Sequence, residues 1–272
     1  MSSLADRAIA TSGYLAVDTD SDVQAWLNTV RPLHGTPSSA RQTLLHNLVV
    51  GLKADGVWSK LDRLWVFAQE MQSGALVDFI GRSRATPVNA PAFALDRGFT
   101  GNGSTSYIDS NWNPTSGPNY ALNNAHISVW TALTDTQFRN ALGNQTTSPS
   151  TSISTVRYQV ANTAWFGAVN DNTGILASTF GATAGHVVVS RTSSSALNIY
   201  GNGGNKNSDG ANSSVGIPNF NFLICAINAS GTPGGYFFNQ VSAVSSGASL
   251  TDTDVSNFYS RLRTYMTAVG VP

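Results

Sequence analysis

Apolar positions along this chain follow three successive patterns. Up to about Lys60 they recur at helical spacing. Val23, Trp26, Leu27 and Val30 fall on one face of a first helix, which Asp20 or Ser21 can cap and Pro32 is expected to stop. Thr36-Pro37 offers a second cap with proline at the first helical position. Ala40, Leu44, Leu45, Leu48, Val49 and Leu52 then repeat the spacing to near Gly56. Two short helices cannot bury an apolar face between themselves, so the pair is expected to dock on the rest of the chain or on a second chain.

From Leu64 the period shortens. Leu64-Trp65-Val66-Phe67-Ala68 is a continuous apolar run suited to a buried strand, and Ser73 to Ile80 reads as one or two helical turns. Strand-length apolar and aromatic segments follow: Phe99 to Ile108 across Gly101-Asn102-Gly103, His126 to Ala132, Ser154 to Val160, Thr163 to Val169, Ile175 to Phe180, His186 to Ser190, Ala196 to Tyr200, Asn221 to Ile227, Gly235 to Phe238 and Val241 to Val244. Clusters such as Asp171-Asn172-Thr173-Gly174, Gly201-Asn202-Gly203-Gly204-Asn205 and Ser230-Gly231-Thr232-Pro233-Gly234 separate them and accept the positive φ of hairpin turns. About ten short strands with no helical pattern between them predict antiparallel sheets, not βαβ units. After Leu250 the helical spacing returns. Thr251 and Asp254 form an acidic variant of the capping box, and Val255, Phe258, Tyr259, Leu262, Met266 and Val269 make a stripe that ends at Gly270. The expected organisation is a helical segment over 1–60 and an antiparallel β-sandwich with a closing C-terminal helix over 61–272.

Composition narrows the partners. The 272 residues carry 15 Lys+Arg against 15 Asp+Glu, and only 11% are charged. No basic face is available to neutralise phosphates, which argues against nucleic acid and anionic membrane. The opening Met1 to Arg7 lacks the basic-then-apolar layout of a signal peptide, and no apolar run reaches the ~20 residues that cross a bilayer. Cys225, the single cysteine, lies in an apolar run and is expected to be a small core residue. One thiol excludes an intrachain disulfide and a thiolate zinc site.

The run Asp96-Arg97-Gly98-Phe99-Thr100-Gly101-Asn102-Gly103-Ser104-Thr105-Ser106-Tyr107-Ile108-Asp109 resembles the opening strands of concanavalin-A-like, laminin-G-like domains. His126 to Thr131, Leu197 to Gly203 and Leu250 to Gly270 match later landmarks of the same domains. Over nearly the whole chain the sequence is similar to jelly-roll proteins of tailed bacteriophages and prophages, which also begin with a helical stretch. The resemblance implies a mainly β, jelly-roll sandwich in a virion surface protein: a capsid decoration, head fibre or tail appendage, touching other virion proteins, its own copies and host-surface glycans. No collagen-like repeat or long heptad array of a free-standing fibre is present, so a compact subunit on a larger assembly is expected. A soluble lectin module and a glycan-cleaving hydrolase are the alternatives, between which fold does not choose.

Chemistry bears on that choice. Glycoside hydrolysis needs two carboxylates flanking one bond. The chain has one glutamate, Glu70, and no strand-borne Asp-x-Asp. Asp18, Asp20 and Asp22 gather at a helix N-terminus, where capping and the helix dipole account for them. No Gly-x-Ser-x-Gly elbow precedes a helix, and His34, His46, His126 and His186 are scattered. His126 and His186 are expected to be hydrogen-bonded structural residues. The chain is therefore expected to be non-enzymatic and to need no cofactor. Calcium is the one ion with hard oxygen ligands at hand, at Asp171 and Asn172 with Asn170, or at Asp209 with Asn205 and Asn207, although loop solvation explains the same residues. Glycan recognition needs an aromatic face beside amides and hydroxyls. Trp112 between Asn111 and Asn113, Trp165, and Tyr200 beside Asn202 are the candidates, whereas Trp26, Trp58, Trp65 and Trp130 lie on apolar patterns expected in the core.

Overall fold

A computed structural model describes residues 20–132, 139–148, 151–159, 164–172, 176–178, 181 and 184–272. Met1 to Arg7, Asp18, Val160, Thr163, Thr173, Gly174, Ile175 and Phe180, invoked above, lie outside the described residues, as do the side chains of His34 and Asn205.

Helix α1 (Ser21–His34) begins where Asp20 Oδ1 accepts a bond of 2.9 Å from Asp22 N. It runs through Pro32 instead of stopping there. A proline so near the end removes one backbone bond, and the last turn still closes through Gly35 N donating to Arg31 O at 3.1 Å. Helix α2 (Ser39–Ala54) is capped by Ser38, not Thr36, with Ser38 Oγ accepting from Arg41 N at 3.2 Å. Glu70 holds that cap in place by accepting from Ser38 N and Oγ. Helix α3 (Gln72–Ala75) is a single turn. Helix α4 (Asp252–Ala268) carries both halves of the expected capping box, Asp254 N donating to Thr251 Oγ1 and Thr251 N to Asp254 Oδ2.

The strands, in chain order, are β1 (Leu61–Val66), β2 (Thr86–Val88), β3 (Ala92–Ala94), β4 (Gly98–Thr100), β5 (Tyr107–Asp109), β6 (Ala125–Ala132), β7 (Arg139–Thr146), β8 (Ser152–Gln159) and β9 (Ala164–Asp171). Then come β10 (Leu176–Ala177), β11 (Gly185–Arg191), β12 (Leu197–Gly201), β13 (Gly204–Asp209), β14 (Leu223–Ile224), β15 (Ile227–Ala229), β16 (Thr232–Gly234) and β17 (Gln240–Gly247). One sheet has the order β13-β12-β11-β6-β17-β4-β3, with β1 also on β17; the other has β10-β9-β8-β7-β14-β5-β2, with the β15–β16 hairpin joined to β7. Neighbouring strands are antiparallel except β15 and β7.

Side-chain alternation gives the first sheet two apolar faces. Ile127 and Val129 of β6, Val187 and Val189 of β11, and Leu197 and Ile199 of β12 face the second sheet, where they meet Leu142, Val156, Tyr158 and Trp165. Their strand neighbours Trp130, Val188 and Tyr200 face the other way, into a cluster with Trp26 of α1, Leu45, Leu48 and Leu52 of α2, and Phe258, Leu262 and Met266 of α4. The N-terminal helices thus dock in cis and share a core with the sandwich. Cys225 is fully buried between the sheets, where desolvation pushes its thiol up to about 12. The cluster beneath the helices draws on β1, β6, β11, β12 and β17 and on no strand of the second sheet. The helical layer therefore covers the first sheet, and the second turns one face outward.

Candidate functional site

Structure moves the aromatic candidates inward. Trp112, flanked by polar residues in sequence, is only 3% exposed; it stacks on Phe222 with centroids 5.8 Å apart and meets Tyr120 edge-on at 6.1 Å. Asn111, at φ 54, turns the chain so that Trp112 enters the inter-sheet core while its own Nδ2 donates to Arg84 O and Thr86 Oγ1. Asn113 caps a short turn through Thr115 N and donates to Asn219 Oδ1 at 2.7 Å. Trp165 is fully buried against Tyr158 and Phe237. Tyr200 lies beneath α4, its hydroxyl donating to Asp252 Oδ1 at 2.8 Å, and burial raises its pKa. Asn202, at φ 51, accepts from His186 N and so belongs to a turn. None of the three rings presents a face that a sugar could cover.

The polar candidates are likewise engaged. Asp171 is fully buried, 3.8 Å from the guanidinium of Arg191, which itself donates to Val169 O and to Asn212. Arg191 occupies the position of the positive charge that calcium would bring, and Asn172 beside it is exposed, so the two residues do not form an oxygen cage. Asp209 accepts from Ala211 N as a turn residue. Among the described residues no group of three or more His, Cys, Asp or Glu gathers as a metal site. His126 is hydrogen-bonded as expected, to Ala248 O and Ser245 Oγ, and burial lowers its pKa to about 4. His186 departs from expectation. Neither ring nitrogen has a hydrogen-bond partner; the imidazole stacks on Trp130 at 5.8 Å, meets Phe258 edge-on at 5.0 Å, and is pushed by burial down to about 3. Aromatic packing holds it as a neutral ring.

The outward face of the second sheet carries a different constellation. Val88 pairs with Tyr107, Tyr236 bridges to Asn140, Asn140 pairs with Arg157, Arg157 with Phe166, and Phe166 with Ala177. Directly opposed residues share a face, and the strand neighbours Ile108, Tyr158 and Trp165 point into the core, so this row points out. The Tyr107 and Tyr236 rings, 6.3 Å apart, join its two halves, and the Arg157 guanidinium lies 5.9 Å from the Phe166 centroid. Asn140 is fixed in place, accepting from Thr155 Oγ1 at 2.9 Å and donating to Gly235 O at 3.3 Å. Tyr236 donates to Pro233 O. Tyr107, Tyr236 and Arg157 are half-buried, while Asn140 and Phe166 are more shielded at 6% and 9%. Burial, with the nearby charge of Asp109, raises the Tyr107 pKa, so its phenol remains a donor at neutral pH. The row offers aromatic surface, an amide, phenols and a guanidinium. It holds no nucleophile with a base beside it.

No protein-family model matches this chain, and no curated protein matches it in sequence. Solved structures do. A mutant of Trypanosoma rangeli sialidase displaying trans-sialidase activity is similar with a TM-score of 0.56 and 13% identity, over 83% of this chain and 39% of the sialidase. T. rangeli sialidase in complex with sialic acid gives 0.52 and 12%, over 82% and 39%. An HCR/D point mutant gives 0.53 and 14%, over 74% of this chain and 52% of that one. The chain thus spans about two-fifths of the sialidase it matches. The likeness is one of fold: the protein is a mainly β, jelly-roll-like sandwich of two antiparallel sheets, with helices on one sheet.

Proposed function

We propose that this chain is a lectin-like module that binds carbohydrate on the outward face of its second sheet, through Tyr107, Tyr236, Asn140, Arg157 and Phe166. One observation carries the reading: the helices occupy the first sheet, and on the other face of the second the half-buried Tyr107, Tyr236 and Arg157 align with the more shielded Asn140 and Phe166. Aromatic faces suit the C–H surface of a sugar ring, while phenols, amide and guanidinium suit its hydroxyls. The module works by binding alone. Its buried carboxylates are engaged structurally, Asp62 by Asn119 N and Tyr120 N, Asp78 by Ile80 N, Gly81 N and Ser83, and Asp171 beside Arg191. No metal or cofactor enters this reading.

The setting we propose is the surface of a tailed-phage capsid or tail, where the subunit contacts other virion proteins and its own copies; the resemblance of Asp96 to Asp109 and of the later landmarks supports it. A glycan array probed with the full chain tests the binding. Tyr107→Ala and Tyr236→Ala are each expected to weaken any hit about tenfold, in line with one lost aromatic contact. A hit unchanged in the double variant would place recognition elsewhere. Mass spectrometry of purified particles tests the setting, and absence of the chain from them would refute it.

A further inference from the structure

A second site lies beside the Val88 end of the row, at the edge of the sandwich. A cleft of about 400 Å³ opens between α3 and β2, lined by Met71, Gln72, Ser73, Leu76, Arg84 and Pro87. Its volume is within the range of small-molecule sites. Met71 and Pro87 supply apolar surface, and Leu76 behind them belongs to the inter-sheet core. The three polar side chains have no assigned work within the fold: among the described residues, neither the Gln72 amide, the Ser73 hydroxyl nor the Arg84 guanidinium makes a hydrogen bond or ion pair. Ser73 is 7% exposed and lines the cleft, with no protein partner for its hydroxyl. Arg84 is set in position by its backbone, bridged to Val77 and accepting from Asn111 Nδ2 at 2.9 Å through its carbonyl, which leaves the side chain at the cleft.

We infer that this cleft binds a single acidic sugar unit, with Arg84 taking the carboxylate, Ser73 and Gln72 the ring hydroxyls, and Met71 and Pro87 the apolar ring face. The Arg84 guanidinium is exposed at the cleft and makes no ion pair, which leaves it open to an anion, and its planar fork fits a carboxylate in two-point fashion. One cation selects one negative charge; two neutral hydrogen-bonding groups over an apolar floor select a ligand with hydroxyls and a C–H face. The inference does not depend on the row across the second sheet.

Isothermal titration of the full chain with methyl β-glucuronide, methyl β-glucoside and sulfate tests it. The glucuronide is expected to bind at least tenfold more tightly than the glucoside, as a charge-assisted hydrogen bond implies. Arg84→Gln should bring the glucuronide down to the level of the glucoside, and Ser73→Ala should weaken it several-fold. Tyr107→Ala should leave it unchanged, which separates this site from the sheet face. Equal affinity for glucuronide and glucoside, or glucuronide binding undiminished in Arg84→Gln, would overturn the assignment of the carboxylate. Sulfate binding as tightly as the glucuronide would overturn the sugar. Arg84 is exposed, so its variant is expected to fold, and an unchanged thermal midpoint confirms that loss of binding is local.

Discussion

Acidification from pH 7 to pH 5 should destabilise this protein through two histidines. His186 and His126 are buried under α4 and along β6, and burial lowers their pKa values to about 3 and about 4. Each is neutral in the folded state, whereas in the unfolded chain each binds a proton below about pH 6.5. The sign follows from that difference: their contribution is fully present above about pH 6.5 and is lost as pH falls toward the folded values. At pH 5 each group has forfeited about 1.5 pKa units at about 1.4 kcal/mol per unit, so the two together cost about 4 kcal/mol. The paired carboxylates Asp20, Asp55, Asp252 and Asp254, whose pKa values are lowered, act in the same direction but below this window. Asp62, raised by burial, acts in the opposite sense. Urea unfolding followed by tryptophan fluorescence at pH 7, 6 and 5 measures the loss. His186→Phe, which keeps a ring between Trp130 and Phe258, should remove about half of it. A wild-type loss below about 1 kcal/mol, or a His186→Phe variant with the full loss, would refute the argument.

Three further substitutions test the fold. Trp112→Ala should lower unfolding free energy by about 3–5 kcal/mol in urea, the cost of emptying a core site, where a surface ligand contact would leave stability nearly unchanged. Gly98→Ala should lose more than about 2 kcal/mol or abolish soluble expression, because a Cβ at φ 105 would stand 2.2 Å from Val241 O across β4 and β17. Tyr265→Phe should lose about 1–2 kcal/mol, since its hydroxyl donates to Ala68 O at 2.7 Å and accepts from the buried Arg41 at 3.1 Å; an unchanged midpoint would show that water replaces both bonds.

Helices were legible because their signals are local. The Thr251–Asp254 box and the stripe of α4 lie within a few residues of one another, and the structure reproduces both. Two single signals are overridden by context: Pro32 falls in a last turn that tolerates it, and Ser38 outcompetes Thr36 as a cap because Glu70, distant in sequence, anchors it. Strands β7 and β13 escaped notice for a different reason. Asn140 and Asn144 of β7 are buried amides whose Nδ2 groups donate to distant carbonyls, and β13 is a polar edge strand, so neither shows apolar alternation. The row on the second sheet was illegible for the most general reason. Tyr107, Asn140, Arg157, Phe166 and Tyr236 come from separate segments, and only strand register brings them into line. Trp112 failed in reverse, its polar neighbours describing the turns on either side and not the ring between them.

The helical layer fixes which way the molecule can face. Asp20 is tied to Lys53 of α2, and the carbonyl of Pro272 accepts from Trp130 Nε1 behind the first sheet. Both contacts lie on the side of the first sheet remote from the Tyr107–Phe166 row. Held by its helical side on a sensor chip, the module would stand with that row turned toward the bulk solution, and, if the row binds glycan as proposed, several copies side by side would gain avidity beyond the affinity of any one of them.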